Sequence, residues 1–405
     1  MKVAIIGSSF SGNKGAAAML TSSIVRITER NPGVEVTHLS MYPTSDAALN
    51  RYPNVAVLNA SPLRLGLVIN PGALWWTIPF LRPIVRRVAP GVAAIADADV
   101  LLDQGGVTFV DGRGKFLIYN VATILPAVLV KTPVVKCAQA LGPFENRINR
   151  FWAKRLLPRM AAIVSRGAVT HEHLLSLGLT NAAEGADLAF TLEVAKDDIA
   201  AADAIAGGFF ERGDVVGVSP SQVLRGSVDG SGGDYAADVA SQIDFVTETL
   251  GRPVFLVPHS AKGTSSKLHN NDLPVCRDIH ARVSSPDKVL FPDAELSPQI
   301  LRHLIGKCDL FVASRFHAMV SSLATGVPTF VVGWSHKYRE VLDMFGLADW
   351  AVASGEVTPT LFRDRLVDLD RNKTTIRKKI RAHLPKVREL ALEQLNLIER
   401  VARGG

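Results

Sequence analysis

Ser314, Arg315, Phe316 and His317 lie between two short apolar runs, 310–313 and 329–332, and Ser335, His336 and Lys337 follow the second run. Runs of that length and composition predict buried strands, with helices over 315–324 and 337–345 completing a strand–helix–strand–helix unit. In open α/β sheets ligands bind off the carboxyl ends of the strands. Helix N-termini placed there favour anions, and Arg315, His317 and Lys337 add positive charge. The chemistry this points to is capture of a small phosphorylated or carboxylated substrate.

Other strand ends carry further polar groups. Residues 7–15, GSSFSGNKG, join a first strand to a helix. Gly7 and Gly12 have P-loop spacing, but Asn13 and Lys14 stand where that motif needs Lys and Ser/Thr. A tight turn and a binding turn are equal readings, with Asn13 and Lys14 expected to face a cleft between two halves of the chain. Asp103-Gln104-Gly105-Gly106 and Gln139 to Phe144 likewise follow apolar runs, and Gly142-Pro143 reads as turn chemistry. His259 follows the 253–257 run, on the same expected sheet edge as His317. His171, His173, His269, His280 and His303 read as surface or packing residues without partners. No HExxH or related spacing supports a metal. Cys137, Cys276 and Cys308 are far apart, with no CxxC, which fits reduced thiols in a cytosolic protein.

Alternating strands and helices must position these groups. Strands are expected at 2–6, 34–40, 55–58, 99–102, 134–138 and 161–165, with helices at 16–28, 116–130 and 148–158. The pattern lapses over 187–213, then resumes with strands at 215–219, 253–257 and 289–291 and helices at 235–250 and 298–305. This predicts two α/β halves, each a parallel sheet covered on both faces: an N-terminal domain over 1–195, a second over 210–373, and a C-terminal helix over 374–405 packing back on the body. The glycine-rich stretch 226–234 reads as a mobile loop. The tail helix should break at Pro385 and present Val387, Leu390, Gln394, Leu397, Ile398 and Val401 on one face, which could equally join two copies of the chain.

Of 405 residues, 47% are apolar and 20% charged, describing a well-buried enzyme. A net charge of +7 suits an anionic substrate or an anionic membrane face, and no basic run interleaved with aromatics indicates nucleic acid. The chain opens directly on a strand, so a signal peptide is not expected. The longest uncharged apolar stretch, 66–81, is interrupted by Pro71, Gly72 and Pro79 and followed by Arg82, Arg86 and Arg87. It reads either as a buried helix pair or lid, or as an interfacial patch in which Trp75 and Trp76 meet lipid. The second reading gives a cytoplasmic protein with peripheral contact at the inner face of the membrane.

Taken in order, the Gly-Asn-Lys-Gly-Ala turn, Asp103 to Gly106, Gln139 to Phe144, Val164-Ser165-Arg166, Asp187, Pro258-His259, Asn271-Asp272, Ser314 to His317 and Gly333 to Lys337 resemble the polysaccharide pyruvyl transferase family. The likeness spans nearly the whole chain, with the Ser-Arg-x-His, Gly-Val-Pro and Ser-x-Lys pieces its most specific part. It departs at Gly167, where the family often has Asp. The resemblance implies a GT-B-like fold, two Rossmann-like domains facing a cleft with a C-terminal helix crossing back. It also implies transfer of pyruvate from phosphoenolpyruvate, with no further cofactor, to a sugar of a cell-surface glycan or its lipid-linked precursor as a ketal. Phosphoenolpyruvate carries two anionic groups, so Arg315 suits bidentate capture of one and Lys337 with Ser335 the other. Asn13, Lys14, Gln104, Gln139, Arg166 and His336 join them as substrate-binding residues. His317 is the expected general acid, and His259 either deprotonates the acceptor or orients phosphate. A GT-B glycosyltransferase using a nucleotide sugar, with Glu340 gripping the ribose, and a non-catalytic glycan-binding protein of the same fold are the alternatives.

Overall fold

The structure is a computed structural model describing residues 1–262, 270–333 and 336–404. Its contacts divide the chain into two units. The first comprises residues 1–11, 19–188 and 388–405, the second residues 12–18 and 189–387.

The first unit is built on an eight-stranded sheet: β1 (Lys2–Ile6), β2 (Glu35–Ser40), β3 (Val55–Asn59), β4 (Val100–Asp103), β5 (Val107–Val110), β6 (Val134–Gly142), β7 (Ala162–Ser165) and β8 (Ala182–Glu184). The order is β3-β2-β1-β4-β6-β7-β8, with β5 beside β6 and every ladder parallel. Both faces are covered, which is why the strands read as continuous apolar runs. Along β1, Val3 and Ile5 enter one core and Ala4 and Ile6 the other, as the two-residue side-chain period requires. Leu20, Ile24 and Ile27 of the Lys14–Arg30 helix pack at helical spacing into the Val3 side. So do Leu395 and Ile398, and the Gln394 amide donates to the Ala186 carbonyl at 3.0 Å.

The second unit carries β9 (Val216–Ser219), β10 (Val254–Leu256), β11 (Val289–Leu290), β12 (Leu310–Ala313), β13 (Thr329–Gly333) and β14 (Ala351–Ala353), ordered β11-β10-β9-β12-β13-β14 and again wholly parallel. Each sheet has its unit's first strand flanked by the second and the fourth main strand, the doubly wound order whose chain direction switches beside the first strand. Two parallel-sheet α/β domains are thus present, as expected.

Several expectations are corrected. The stretch 226–234 is no loop through most of its length: a helix runs over Gln222–Gly230, held by buried Leu224 and an Arg225–Asp229 ion pair one turn apart. The C-terminal helix does not break at Pro385 but runs unbroken over Pro359–Ala402, because Ile380 and Val387 on either side are both buried and hold its path. Its buried face there is Val387, Ala391, Gln394, Leu395 and Ile398, with Leu390 and Leu397 only half-buried. Of 66–81, read as a buried helix pair or lid, only one stripe is covered. Short β5, β8 and β14 escaped notice, being too brief to show a period.

Candidate active site

The second unit's strand ends bring together a group of polar side chains. After β12 the chain passes Ser314 and leaves extended backbone at Arg315 (φ −115°, ψ 133°) to enter the Phe316–Ala324 helix. Arg315 therefore flanks the positive helix end and His317 occupies its first turn. The Phe316 ring is buried and meets the His317 ring edge-on, centroids 5.0 Å apart.

A fully buried carboxylate organises the loops around them. Asp272 accepts from the Arg315 Nε at 2.9 and 3.0 Å and from its Nη2, from the Ser260 amide at 2.8 Å and from the Gln222 amide at 3.0 Å. One side chain thus ties the loops following β9, β10 and β12. Asn270, in left-handed backbone (φ 65°), accepts from Arg315 Nη1 at 2.7 Å. Burial works against the charge on Arg315 and the Asp272 carboxylate outweighs it, so the guanidinium holds its proton more firmly than usual. The sequence assigned Arg315 bidentate capture of a substrate anion. In the structure its Nε–Nη2 edge is given to Asp272 instead.

The turn 12–15 joins this group. Asn13 makes an antiparallel bridge with Ser260, and its side-chain oxygen accepts from the Gly15 amide at 3.0 Å. Lys14 begins the Lys14–Arg30 helix, is buried, and pairs with Glu295 at 2.6 Å; the Gly12 amide reaches the same oxygen at 3.4 Å. A turn with P-loop-like spacing here holds a carboxylate of the protein itself. Gly15 lies against the imidazole of His317, where a Cβ would fall 1.9 Å from Nδ1.

His259 follows β10 and is buried. Burial first, then the positive charges of His317, Arg315, Arg302 and Lys14, hold its pKa well below the ordinary histidine value. It therefore takes up a proton less readily than an ordinary histidine and is the weaker base for it. Among the described residues, Ser219 Oγ, Ser221 Oγ and Gln222 Oε1 at the end of β9 are buried without a hydrogen-bond partner. An apolar recess lined by Val218, Leu224, Tyr235, Val239, Val312 and Ser314 adjoins them.

Lys337 lies in the first turn of the His336–Asp343 helix, its ammonium 5.4 Å from the Phe316 ring centre and 5.3 Å from that of Tyr338. Ser335 and the His336 side chain, both expected to bind substrate, lie outside the described residues.

The remaining expected residues gather in the first unit. Gln104 accepts from Ser8 Oγ at 2.9 Å and donates to Ser23 Oγ; Gln139 accepts from Thr108 Oγ1 at 2.6 Å and donates to the Asp103 carbonyl at 2.6 Å. Both amides are buried and used at both ends, which makes them part of the scaffold of their strand ends. Asp103 pairs with Lys136 and Arg166 with Asp187, in both cases below the surface. His173 and His303, read as lacking partners, have them: His173 Nδ1 lies 3.2 Å from the Leu141 carbonyl and His303 Nε2 lies 3.2 Å from Asp203. His280 packs against Phe291, and His269 lies outside the described residues. The three cysteines are free and buried, and burial pushes the Cys137 thiol up to about 12. Among the described residues no cluster of His, Cys, Asp or Glu is arranged to hold a metal, and no helix is long and apolar enough to cross a membrane.

Sequence reasoning passed over Glu295 and the structural use of Asp272. Glu295 meets Lys14 from 281 positions away, and nothing local to it signals that pairing. Asp272 had a signal, an Asn-Asp pair directly before the Leu273–His280 helix.

Comparison with known proteins agrees with this architecture. The fold is similar to that of a UDP-GlcNAc 2-epimerase from Neisseria meningitidis (TM-score 0.63, 13% identity, 99% of this chain and 100% of that one). It is also similar to S. aureus MnaA (TM-score 0.59, 11% identity, 98% and 97%) and Anabaena Alr3699/HepE (TM-score 0.53, 14% identity, 98% and 99%). Such neighbours are GT-B-like, as the sequence led us to expect, and at these identities they speak for the fold alone. In sequence, the chain is 24% identical over 379 residues to the amylovoran biosynthesis protein AmsJ of Erwinia amylovora, covering 87% of this chain and 88% of that protein. Residues 13–336 match the model of the polysaccharide pyruvyl transferases, a span that runs from the Asn13 turn through Asp272, Arg315 and His317. The chain belongs to the polysaccharide pyruvyl transferase family.

Proposed function

We propose that this transferase moves the pyruvyl group of phosphoenolpyruvate onto two hydroxyls of a sugar in an exopolysaccharide or its lipid-linked precursor, giving a cyclic ketal and inorganic phosphate. The observation that carries this reading is the convergence of Lys14, His259, Arg315 and His317 within one unit, His259 and Arg315 just past the carboxyl ends of parallel strands and Lys14 and His317 in first helical turns. Family membership and the likeness to a protein of amylovoran biosynthesis support the pyruvyl group and the polysaccharide setting.

The chemistry follows from the donor. Protonating the methylene carbon of phosphoenolpyruvate puts positive charge on C2. A sugar hydroxyl then adds there and loses its proton; a second hydroxyl displaces phosphate and loses its own. His317, in a first helical turn, is the residue we assign to proton delivery, because an imidazole can both carry a proton and pass it on. His259 hydrogen-bonds the donor, since its lowered pKa makes it a weaker base than an ordinary histidine. Arg315, with its plane fixed by Asp272, contributes charge and a helix N-terminus to the donor anion.

The test is phosphate release from phosphoenolpyruvate that depends on a glycan acceptor, with mass spectrometry of that glycan. Gain of one pyruvate ketal is expected. Turnover of a nucleotide sugar without phosphoenolpyruvate consumption would replace this reading with glycosyl transfer.

A further inference from the structure

The helical stretch between β3 and β4 is apolar on two opposite sides. From Pro62 the chain winds through Pro62–Arg64, Leu65–Ile69 and Asn70–Trp76, turns, and continues in Arg82–Val88. Leu65, Ile69, Ala73, Trp76 and Val85 form the inner stripe and enter the first unit's core. A helix on a water-facing surface carries polar residues on its other side. Here that side presents Leu63 (76% exposed), Leu67, Trp75 (52%), Phe80 (77%), Ile84 and Val88. The four-residue spacings of Leu63 with Leu67, and of Ile84 with Val88, put each pair on one face. A patch of this composition marks an interaction surface.

Charge identifies the partner. Between Asp46 and Asp97 there is no acidic residue, while Arg51, Arg64, Arg82, Arg86 and Arg87 fall in that span. Arg64 and Arg87 are exposed among the apolar residues. Arg82 Nε donates to the Trp76 carbonyl at 3.1 Å, and Arg86 lies 5.3 Å over the Trp76 ring while pairing with Asp97. A second copy of the chain would set this cationic face against itself across a two-fold axis, like charge on like. An anionic bilayer offers hydrocarbon to Leu, Trp and Phe and phosphates to the arginines at the same depth. We propose that the exposed face of residues 62–88 docks the protein on an anionic lipid surface, lying in the interface without crossing it.

This inference stands apart from the pyruvyl-transfer reading and is read out separately, by flotation of the full chain with vesicles. Binding to phosphatidylcholine–phosphatidylglycerol vesicles, weakened by salt and much lower on phosphatidylcholine alone, is expected. Trp75→Ser with Phe80→Ser, and separately Arg64→Glu with Arg87→Glu, should each reduce the bound fraction about tenfold while thermal melts show the fold intact. No binding by the wild type, equal binding to neutral vesicles, or unchanged binding by folded variants would each overturn the proposal. So would self-association in sedimentation that the same substitutions abolish, with no vesicle binding, since that assigns the face to a second copy of the chain.

Discussion

Gly15 and His317 share one small volume: a Cβ built on Gly15 would fall 1.9 Å from Nδ1 of His317 and 2.1 Å from its Cγ. The glycine is required by space, because its side-chain position is where the imidazole lies. Gly15→Ala must push the ring aside, while a Cβ at Gly12 of the same turn would meet nothing within 4 Å. Misplacing a catalytic group by about 1 Å can cost roughly 100-fold in rate. We expect a loss of that order in phosphate release, with little change in the thermal melt. A rate within a factor of about two of wild type would detach His317 from the chemistry.

Asp272 ties three loops together, one of them through the Arg315 guanidinium. Asp272→Ala strands the Arg315 charge, whose side chain is only 13% exposed, and leaves the Ser260 and Gln222 amides unpaired. Breaking a buried pair in this way costs about 3–5 kcal/mol. Urea titration should show that loss; a change below about 1 kcal/mol would show that the loops hold without it.

His259 links stability to pH. Its pKa is lowered well below the usual 6.5 on folding, so the unfolded chain takes up a proton that the folded one refuses. The contribution is therefore neutral above the unfolded value. It turns destabilising as pH falls through that value, and stops growing below the folded one. Melting temperatures taken downward from pH 7.5 to pH 5 should fall more steeply for wild type than for His259→Gln. Parallel curves would contradict the assigned direction.

Lys14 and Glu295 form a nearly buried pair at 2.6 Å, with Lys14 3% exposed and Glu295 24%. A double-mutant cycle with Lys14→Met and Glu295→Gln should give a coupling of about 0.5–3 kcal/mol. Additive effects would mean the pairing contributes nothing to the turn's position.

Much of this was legible in the chain because the signals are local. The strands under Arg315 and His317 announce themselves as short apolar runs, and doubly wound topology follows from their alternation with helices. Gly15 was visible as a motif residue, but its spatial conflict with His317 spans some three hundred positions and has no local trace. The same holds for Lys14 with Glu295. The 226–234 stretch misled because its glycines outweighed one buried leucine and one ion pair a turn apart. The apolar 66–81 run gave its composition but hid its geometry, since periodicity cannot separate two apolar stripes on one helix. Only the fold shows that one of them is uncovered.

The most direct test of the central claim compares wild type and His317→Ala with phosphoenolpyruvate and a glycan acceptor. Phosphoenolpyruvate affinity is measured by calorimetry and the glycan product by mass spectrometry. Proton delivery by His317 predicts donor binding within a few-fold of wild type and no pyruvylated glycan above background, a rate loss of roughly 100-fold or more. Pyruvylated glycan formed by His317→Ala at a near-normal rate would contradict it.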